Sequence, residues 1–323
     1  MSLRAVRGSL AALLALALGC AGPLGSAPAP TSAPPSPEGT LTHHVIVISV
    51  DGLRPDAIER FGATTLTRLI EEGSSSLTAS TILPSNTLPS HTSMLTGTEP
   101  ETHGVYWNRE EMEEHGHVAT PTIFAAAREA GLHTAAFFSK AKFEHLAVPS
   151  TLDHAHVPRG LGRDLAVKTV DAVQAYLMRE RPNLMFVHLA DADFAGHIFG
   201  WMSRPYGWAV QSVDYEIGEL LRSADRAFGR DGYTVIITAD HGGHGRDHGS
   251  SDPRDVLIPW IAWGKGVVPG ETLPDGIRTL DTAATALALL GVNAPAGLTG
   301  TPIRSAFSSL GAAPDVAVGG GKD

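Results

Sequence analysis

The chain has 323 residues, 43% of them hydrophobic and 18% charged, with a formal net charge of −10. That length holds one large α/β domain or two small ones, and the apolar share excludes wholesale disorder. The acidic balance excludes a binder of nucleic-acid duplexes, whose affinity rests on clustered Lys and Arg, but leaves room for a small anionic substrate if bound metal supplies positive charge.

In chain order, the first element is a leader. Arg4 and Arg7 precede an unbroken Leu/Ala run from Leu10 to Leu18, and Gly19-Cys20 follows. The run is shorter than the roughly 20 apolar residues that span a bilayer, and its layout is that of a secretory signal. Cys20 is the only cysteine, so no intramolecular disulfide can form. Residues 1–20 resemble a bacterial lipoprotein signal, cleaved before Cys20 and lipidated on its thiol, with Ala17 where that motif prefers Leu. An ordinary signal cut nearby is the alternative. Ala21 after the cysteine implies the outer membrane if the source is Gram-negative, with the protein facing the periplasm. Residues 21–39 hold six prolines among small residues, which favours an extended tether. A catalytic domain is expected over 40–311 and a frayed tail over 312–323; the oligomeric state is open.

Strand and helix signals then alternate. His44–Val50 is a β-branched run that reads as a buried strand, and Pro55 opens a helical pattern ending near Gly73. Helix is expected over Pro121–Ala130, strand over Thr134–Phe138, helix over Asp164–Arg181 and strand over Leu184–Leu189. A helix over Tyr206–Phe228 and a strand over Tyr233–Thr238 follow. This order predicts an α/β fold: a mostly parallel central sheet with helices on both faces. Ligands of such sheets bind outside the carboxyl ends of the strands.

Those ends carry the informative residues. Asp51 follows the first strand, Lys140 follows Phe138, Asp191, Asp193 and His197 follow Leu189, and Asp240, His241, His244, Asp247 and His248 follow Thr238. One acid at a strand end is commonplace as a helix cap, but three such ends with Asp, two with His close by, suit Zn²⁺ better. Six such ligands fit two ions better than one. Thr87 lies where a loop enters a helix, and a helix N-terminus offers N–H groups and positive dipole to a phosphoryl oxygen. Thr87 as a simple helix cap is the competing account.

Taken together, these motifs resemble the alkaline phosphatase superfamily, and within it the nucleotide pyrophosphatase/phosphodiesterase group. Asp51, Thr87-Leu-Pro-Ser-His91, Thr102-His-Gly-Val-Tyr-Trp-Asn108, Asp193-x-x-Gly-His197, Asp240-His241-Gly242 and His248 occur in the group's order over about Val45 to Gly264. The resemblance implies one zinc held by Asp193, His197 and His248, and a second by Asp51, Asp240, His241 and the Thr87 hydroxyl. It implies Thr87 as nucleophile, a phospho-threonine intermediate, and Asn108 as a donor to the phosphoryl oxygens. Ser90 replaces an Asn of the group's pattern, and the chain is shorter than most members. Asp191, His244 and Asp247 are candidates to orient the ligands.

Other readings stay open. Without a cysteine or serine at position 87, sulfatase chemistry is not expected. Phosphonoacetate hydrolases carry a threonine nucleophile and a Lys-x-Lys, here Lys140-Ala-Lys142. Lys140 meeting an anionic substrate group favours a phosphomonoester or carboxylated substrate over a diester. Trp107, Trp201, Tyr206 and Trp208 are candidates to wall a pocket, with core packing an equal account. A reading of another class is a non-enzymatic envelope metal-binding lipoprotein.

Overall fold

The computed structural model describes residues 39–159 and 162–310. The segments expected to be a leader with Cys20, a tether and a tail therefore lie outside the described residues, apart from Gly39. Eight strands form one sheet: β1 (Val45–Val50), β2 (Ser74–Ser80), β3 (Thr134–Phe137), β4 (His154–His156), β5 (Leu184–Leu189), β6 (Thr234–Thr238), β7 (Leu257–Gly264) and β8 (Glu271–Thr272). Their spatial order is β4-β3-β5-β1-β6-β7-β2-β8. β1 lies between β5 and β6 and is parallel to both, and β3 is parallel to β5. Every residue of β1, β5 and β6 is buried, as a parallel sheet covered on both faces requires.

Parallel register carries the function. Val50 pairs with Leu189, and Ser49 with Thr238. Asp51, the helix after Leu189, and Asp240 are thus delivered to one sheet edge.

Two differences from the sequence reading have local causes. The helix expected over Pro55–Gly73 is two helices, Pro55–Arg60 and Thr64–Glu72. The break falls at Gly62, whose φ of +64° is left-handed. The sheet also has an antiparallel component: β7 runs against β6 and β2. Pro259 within β7 hides this strand from a sequence reading, because proline cannot donate to a ladder. The structure accommodates it with an irregularity in β2 between Ser76 and Ala79, whose partners Trp260 and Ile258 flank Pro259. Among the described residues no helix is long and apolar enough to cross a membrane.

Candidate active site

Asp51 is the first residue after β1 and is fully buried. Its Oδ2 accepts from His188 Nε2 at 2.9 Å and meets Lys140 Nζ at 2.6 Å. Gly52 then turns with φ +71°, and a Cβ there would stand 2.9 Å from the Cα of Asp193. Glycine is needed at this point because the chain must let Asp193 approach, and Asp193 N–H donates to the Asp51 carbonyl at 3.0 Å.

Asp193 and His197 belong to the helix Asp191–Phe199. A spacing of four residues puts them on one face, and His197 Nε2 lies 3.2 Å from Asp193 Oδ1. Asp240 and His241 follow β6. Asp240 Oδ1 accepts from the N–H groups of Gly52 and His241, so its other oxygen is turned toward the site. His248 arrives on the loop after β6, with its ring stacked on His241 at 3.6 Å.

The three imidazoles share one arrangement. Nδ1 of His241 faces the Gly242 carbonyl at 2.8 Å, that of His197 the Arg246 carbonyl at 3.0 Å, and that of His248 the Ser85 carbonyl at 2.9 Å. A carbonyl only accepts, so Nδ1 carries the proton and Nε2 is presented inward, the orientation of a metal-binding histidine. His241 Nε2 lies 3.4 Å from Asp51 Oδ1 and 3.2 Å from Asp240 Oδ2. Asp51 Oδ1, Asp193 Oδ1 and Asp240 Oδ2 are each buried without a hydrogen-bond partner. Unpaired carboxylate oxygens crowded against imidazole lone pairs suit a bound cation. Two groupings of these residues have the compactness to hold one: Asp193, His197 and His248, and Asp51, Asp193 and His241. Asp193 is common to both, and Asp240 borders the second through His241.

The electrostatics agree. Burial raises every one of these carboxyls. At Asp51 the charges of Lys140 and His188 outweigh it and hold the group well below the usual carboxylate range. At Asp240 burial and the neighbouring Asp51 charge win, and the carboxyl is pushed well up. Burial and His248 depress His241 to about 3, so it is a neutral, ligand-ready imidazole. The bond to Asp193 raises His197, so proton and metal ion compete for its Nε2.

Thr87 is the first residue of the helix Thr87–Thr96, with Asn86 as its N-cap residue. Thr87 does not cap the helix: its Oγ1 is buried and lies 3.3 Å from His241 Nε2. Asn108 Oδ1 accepts from Leu88 N–H at 2.9 Å and from Lys142 Nζ at 2.7 Å. Both lone pairs of that oxygen are used, so what Asn108 offers a ligand is its NH₂. Ser90 donates to the Asp240 carbonyl at 2.8 Å, which makes it a support for that ligand.

Thr87, Asn108, Lys140, Lys142, Asp193, His197 and His248 share one cavity of about 410 Å³ with Arg163, Phe194 and Ile198. Lys140 bridges Asp51 and Asp193, 2.6 Å from each, and these carboxylates raise its pKa against the burial that lowers it. Burial and Lys140 together lower Lys142 to about 8. A larger cavity of about 640 Å³, beside Arg54, Ile70 and Leu257, contains none of the ligands; the chemistry of the side chains, not cavity size, marks the site.

Several expected residues lie elsewhere. Tyr206 is fully buried and donates to the Gly52 carbonyl at 2.9 Å, so it supports the Gly52 turn and does not line the cavity. Trp201 Nε1 donates to the same carbonyl at 2.9 Å. Trp107 stacks on His115 at 3.8 Å, away from the cavity lining, and Trp208 is exposed beside Arg204. Asp191 accepts from Ala166 N–H and ties down the start of the helix Ala166–Glu180. His244 bonds Asp255 and orients no ligand directly, and the hydrogen bonds of Asp247 stay within the 244–248 loop.

The sequence reading missed His188, which orients Asp51 while its Nδ1 accepts from Ser139 N–H at 3.4 Å. A lone histidine in the otherwise apolar strand Leu184–Leu189 was the available signal. Arg163, Phe194 and Ile198 gave none.

The type I phosphodiesterase / nucleotide pyrophosphatase profile matches residues 45–249. GPI ethanolamine phosphate transferase 1 of Gibberella zeae is 33% identical over 101 residues, 31% of this chain and 10% of the transferase. The 2,3-bisphosphoglycerate-independent phosphoglycerate mutase of Haloarcula marismortui is 30% identical over 144 residues, 43% of this chain and 26% of the mutase. The chain thus spans a small part of the length of these relatives. Murine ectonucleotide pyrophosphatase / phosphodiesterase 5, in an inactive form with AMP, superposes with a TM-score of 0.66 at 15% identity, covering 78% of this chain and 96% of that one. The profile match over residues 45–249 leads to one conclusion: the chain belongs to the type I phosphodiesterase / nucleotide pyrophosphatase family.

Proposed function

We propose that the chain is a two-zinc phosphoester hydrolase that works through a phospho-threonine at Thr87, with phosphodiesters as its main substrates. The observation that carries this reading is the clustering of three orphaned carboxylate oxygens with three inward-facing Nε2 atoms, one of which, that of His241, lies 3.3 Å from the buried Thr87 hydroxyl. Asp193, His197 and His248 would hold one ion, and Asp51, Asp240 and His241 the other beside Thr87. Held by these residues, the ions would supply Lewis-acid charge beside the Thr87 hydroxyl, the leaving oxygen and the hydrolytic water. Thr87 Oγ forms the new bond to phosphorus as the bond to the leaving oxygen breaks, and water later releases the phosphoryl group. The Asn108 NH₂ and the N-terminal turn of the helix Thr87–Thr96 meet charge developing on the phosphoryl oxygens. The murine ectonucleotide relative is inactive as a threonine-to-alanine variant, which supports a threonine in this role.

The test is a panel of nitrophenyl phosphate, bis-nitrophenyl phosphate, nitrophenyl nucleotide esters and phosphonoacetate, each with and without chelator. Chelator-sensitive turnover is expected. No turnover of any compound by metal-loaded protein returns the chain to the metal-binding lipoprotein reading. The relatives named as transferases make phosphoryl-group transfer to an acceptor other than water a further outcome of the panel.

A second reading, a phosphomonoesterase or phosphonoacetate hydrolase-like enzyme, is favoured by Lys140 and Lys142 lining the cavity. A monoester carries a second negative charge near neutral pH. On that reading, Lys140→Ala lowers kcat/KM for nitrophenyl phosphate at least tenfold more than for the bis-ester, as loss of one charged hydrogen bond of about 1.5–3 kcal/mol implies. An unchanged ratio leaves Lys140 as a partner of Asp51 and Asp193 only.

We also propose an envelope location through a lipidated Cys20. Cys20→Ser is expected to move the protein from the membrane to the soluble fraction on cell fractionation. Unchanged membrane association would sink the anchor and leave the enzyme reading standing.

A further inference from the structure

The cavity holds three basic side chains, and they are not equivalent. Lys140 is neutralised by two carboxylates, 2.6 Å from each. Among the described residues Lys142 has only the neutral oxygen of Asn108 as partner, and Arg163 makes no ion pair. The Arg163 guanidinium lies over the Phe194 ring, 3.1 Å from its centroid. Its backbone is fixed by the bridge to Lys140, and the Asp164 N–H donates to Ser139 at 2.9 Å. Stacking uses the face of a guanidinium and leaves its N–H edge free, the edge that grips a carboxylate or phosphate in two parallel bonds. Asp191 and Asp193 act on Arg163 only at longer range, and cations that face a cavity with no carboxylate at ion-pair distance point to an anionic ligand.

We infer that Arg163, positioned by Phe194, is a specificity-determining residue that binds a second anionic group of the substrate, a carboxylate or phosphate separate from the scissile phosphoryl group. This rests on the phosphoester-hydrolase reading above and adds the substrate class: compact phosphoesters or phosphonates bearing a further anion. Lys142 lies on the Thr87 side, joined to it through Asn108 and Leu88 N–H. The two cations thus divide the work, with Lys142 facing the phosphoryl oxygens and Arg163 facing the remote anion.

Two measurements test it. The first is calorimetric binding of phosphonoacetate and its carboxyl methyl ester to zinc-loaded Thr87→Ala protein, which needs no turnover. The free acid is expected to bind about tenfold or more tighter than the ester, and Arg163→Ala should erase most of that ratio, with Arg163→Lys restoring part of it. The second is kcat/KM of otherwise wild-type protein on 4-nitrophenyl carboxymethyl phosphate and its methyl ester, which share phosphorus and leaving group. The same ratio should favour the carboxylate and fall in Arg163→Ala. Equal binding of acid and ester, or a ratio unmoved by Arg163→Ala, overturns the assignment. Absence of turnover on both esters counts against the hydrolase reading, while the binding ratio still decides Arg163.

Discussion

Thr87→Ala should lose nearly all turnover, by about 10⁴-fold or more, as when a covalent nucleophile is removed. The buried hydroxyl sits 3.3 Å from His241 Nε2, at the start of a helix whose dipole favours an anion. The variant should keep its metal, because six Asp and His side chains supply the remaining ligands, and metal analysis of the purified variant checks this. Thr87→Ser should retain appreciable activity, since the hydroxyl stays in place. Mass spectrometry of acid-quenched wild-type enzyme should find a phosphoryl group on the peptide containing Thr87 and none in the alanine variant. Near-normal turnover in Thr87→Ala would assign the attack to water.

Metal removal is the second large effect. Purified protein should carry close to two zinc ions per chain, and chelation should abolish turnover, with zinc restoring it. Stability should fall as well. The apo site leaves Asp51 Oδ1, Asp193 Oδ1 and Asp240 Oδ2 buried without partners. An ion present at a thousandfold its dissociation constant stabilises the native state by about 4 kcal/mol, which is roughly 10 °C in Tm for a domain of this size. Differential scanning with and without chelator measures it. His248→Ala should lower the metal content and leave the Asp51, Asp240 and His241 group occupied. An active, equally stable protein free of transition metal would refute the metal site.

Much of this protein is readable in its sequence, for definite reasons. β-branched runs such as Val45–Val50 and Thr234–Thr238 read as buried strands, and alternation with helices implies mostly parallel pairing. Parallel pairing sends the residues after each strand to one edge. Asp51, Asp193, His197, Asp240, His241 and His248 therefore came together as their positions after the strands implied. The short-range motif also carried over: Asp193 and His197 are four residues apart on a helix, so one face presents both.

Tertiary structure alone decided the rest. Tyr206 and Trp201 read equally well as pocket walls or as core, and both turn inward to the Gly52 carbonyl, because that buried oxygen needs donors. Asp191 and Asp193 differ by two residues on one helix and point to different places, one to the start of the next-door helix and one to the site. His188 gained its role from the register that sets β5 beside β1. Arg163 lies in a loop with no periodicity, and only the bridge to Lys140 carries it to the cavity. Local sequence fixes what alternates and repeats along the chain. Which side chains meet across the cavity depends on contacts between segments distant in sequence, and no local pattern encodes those.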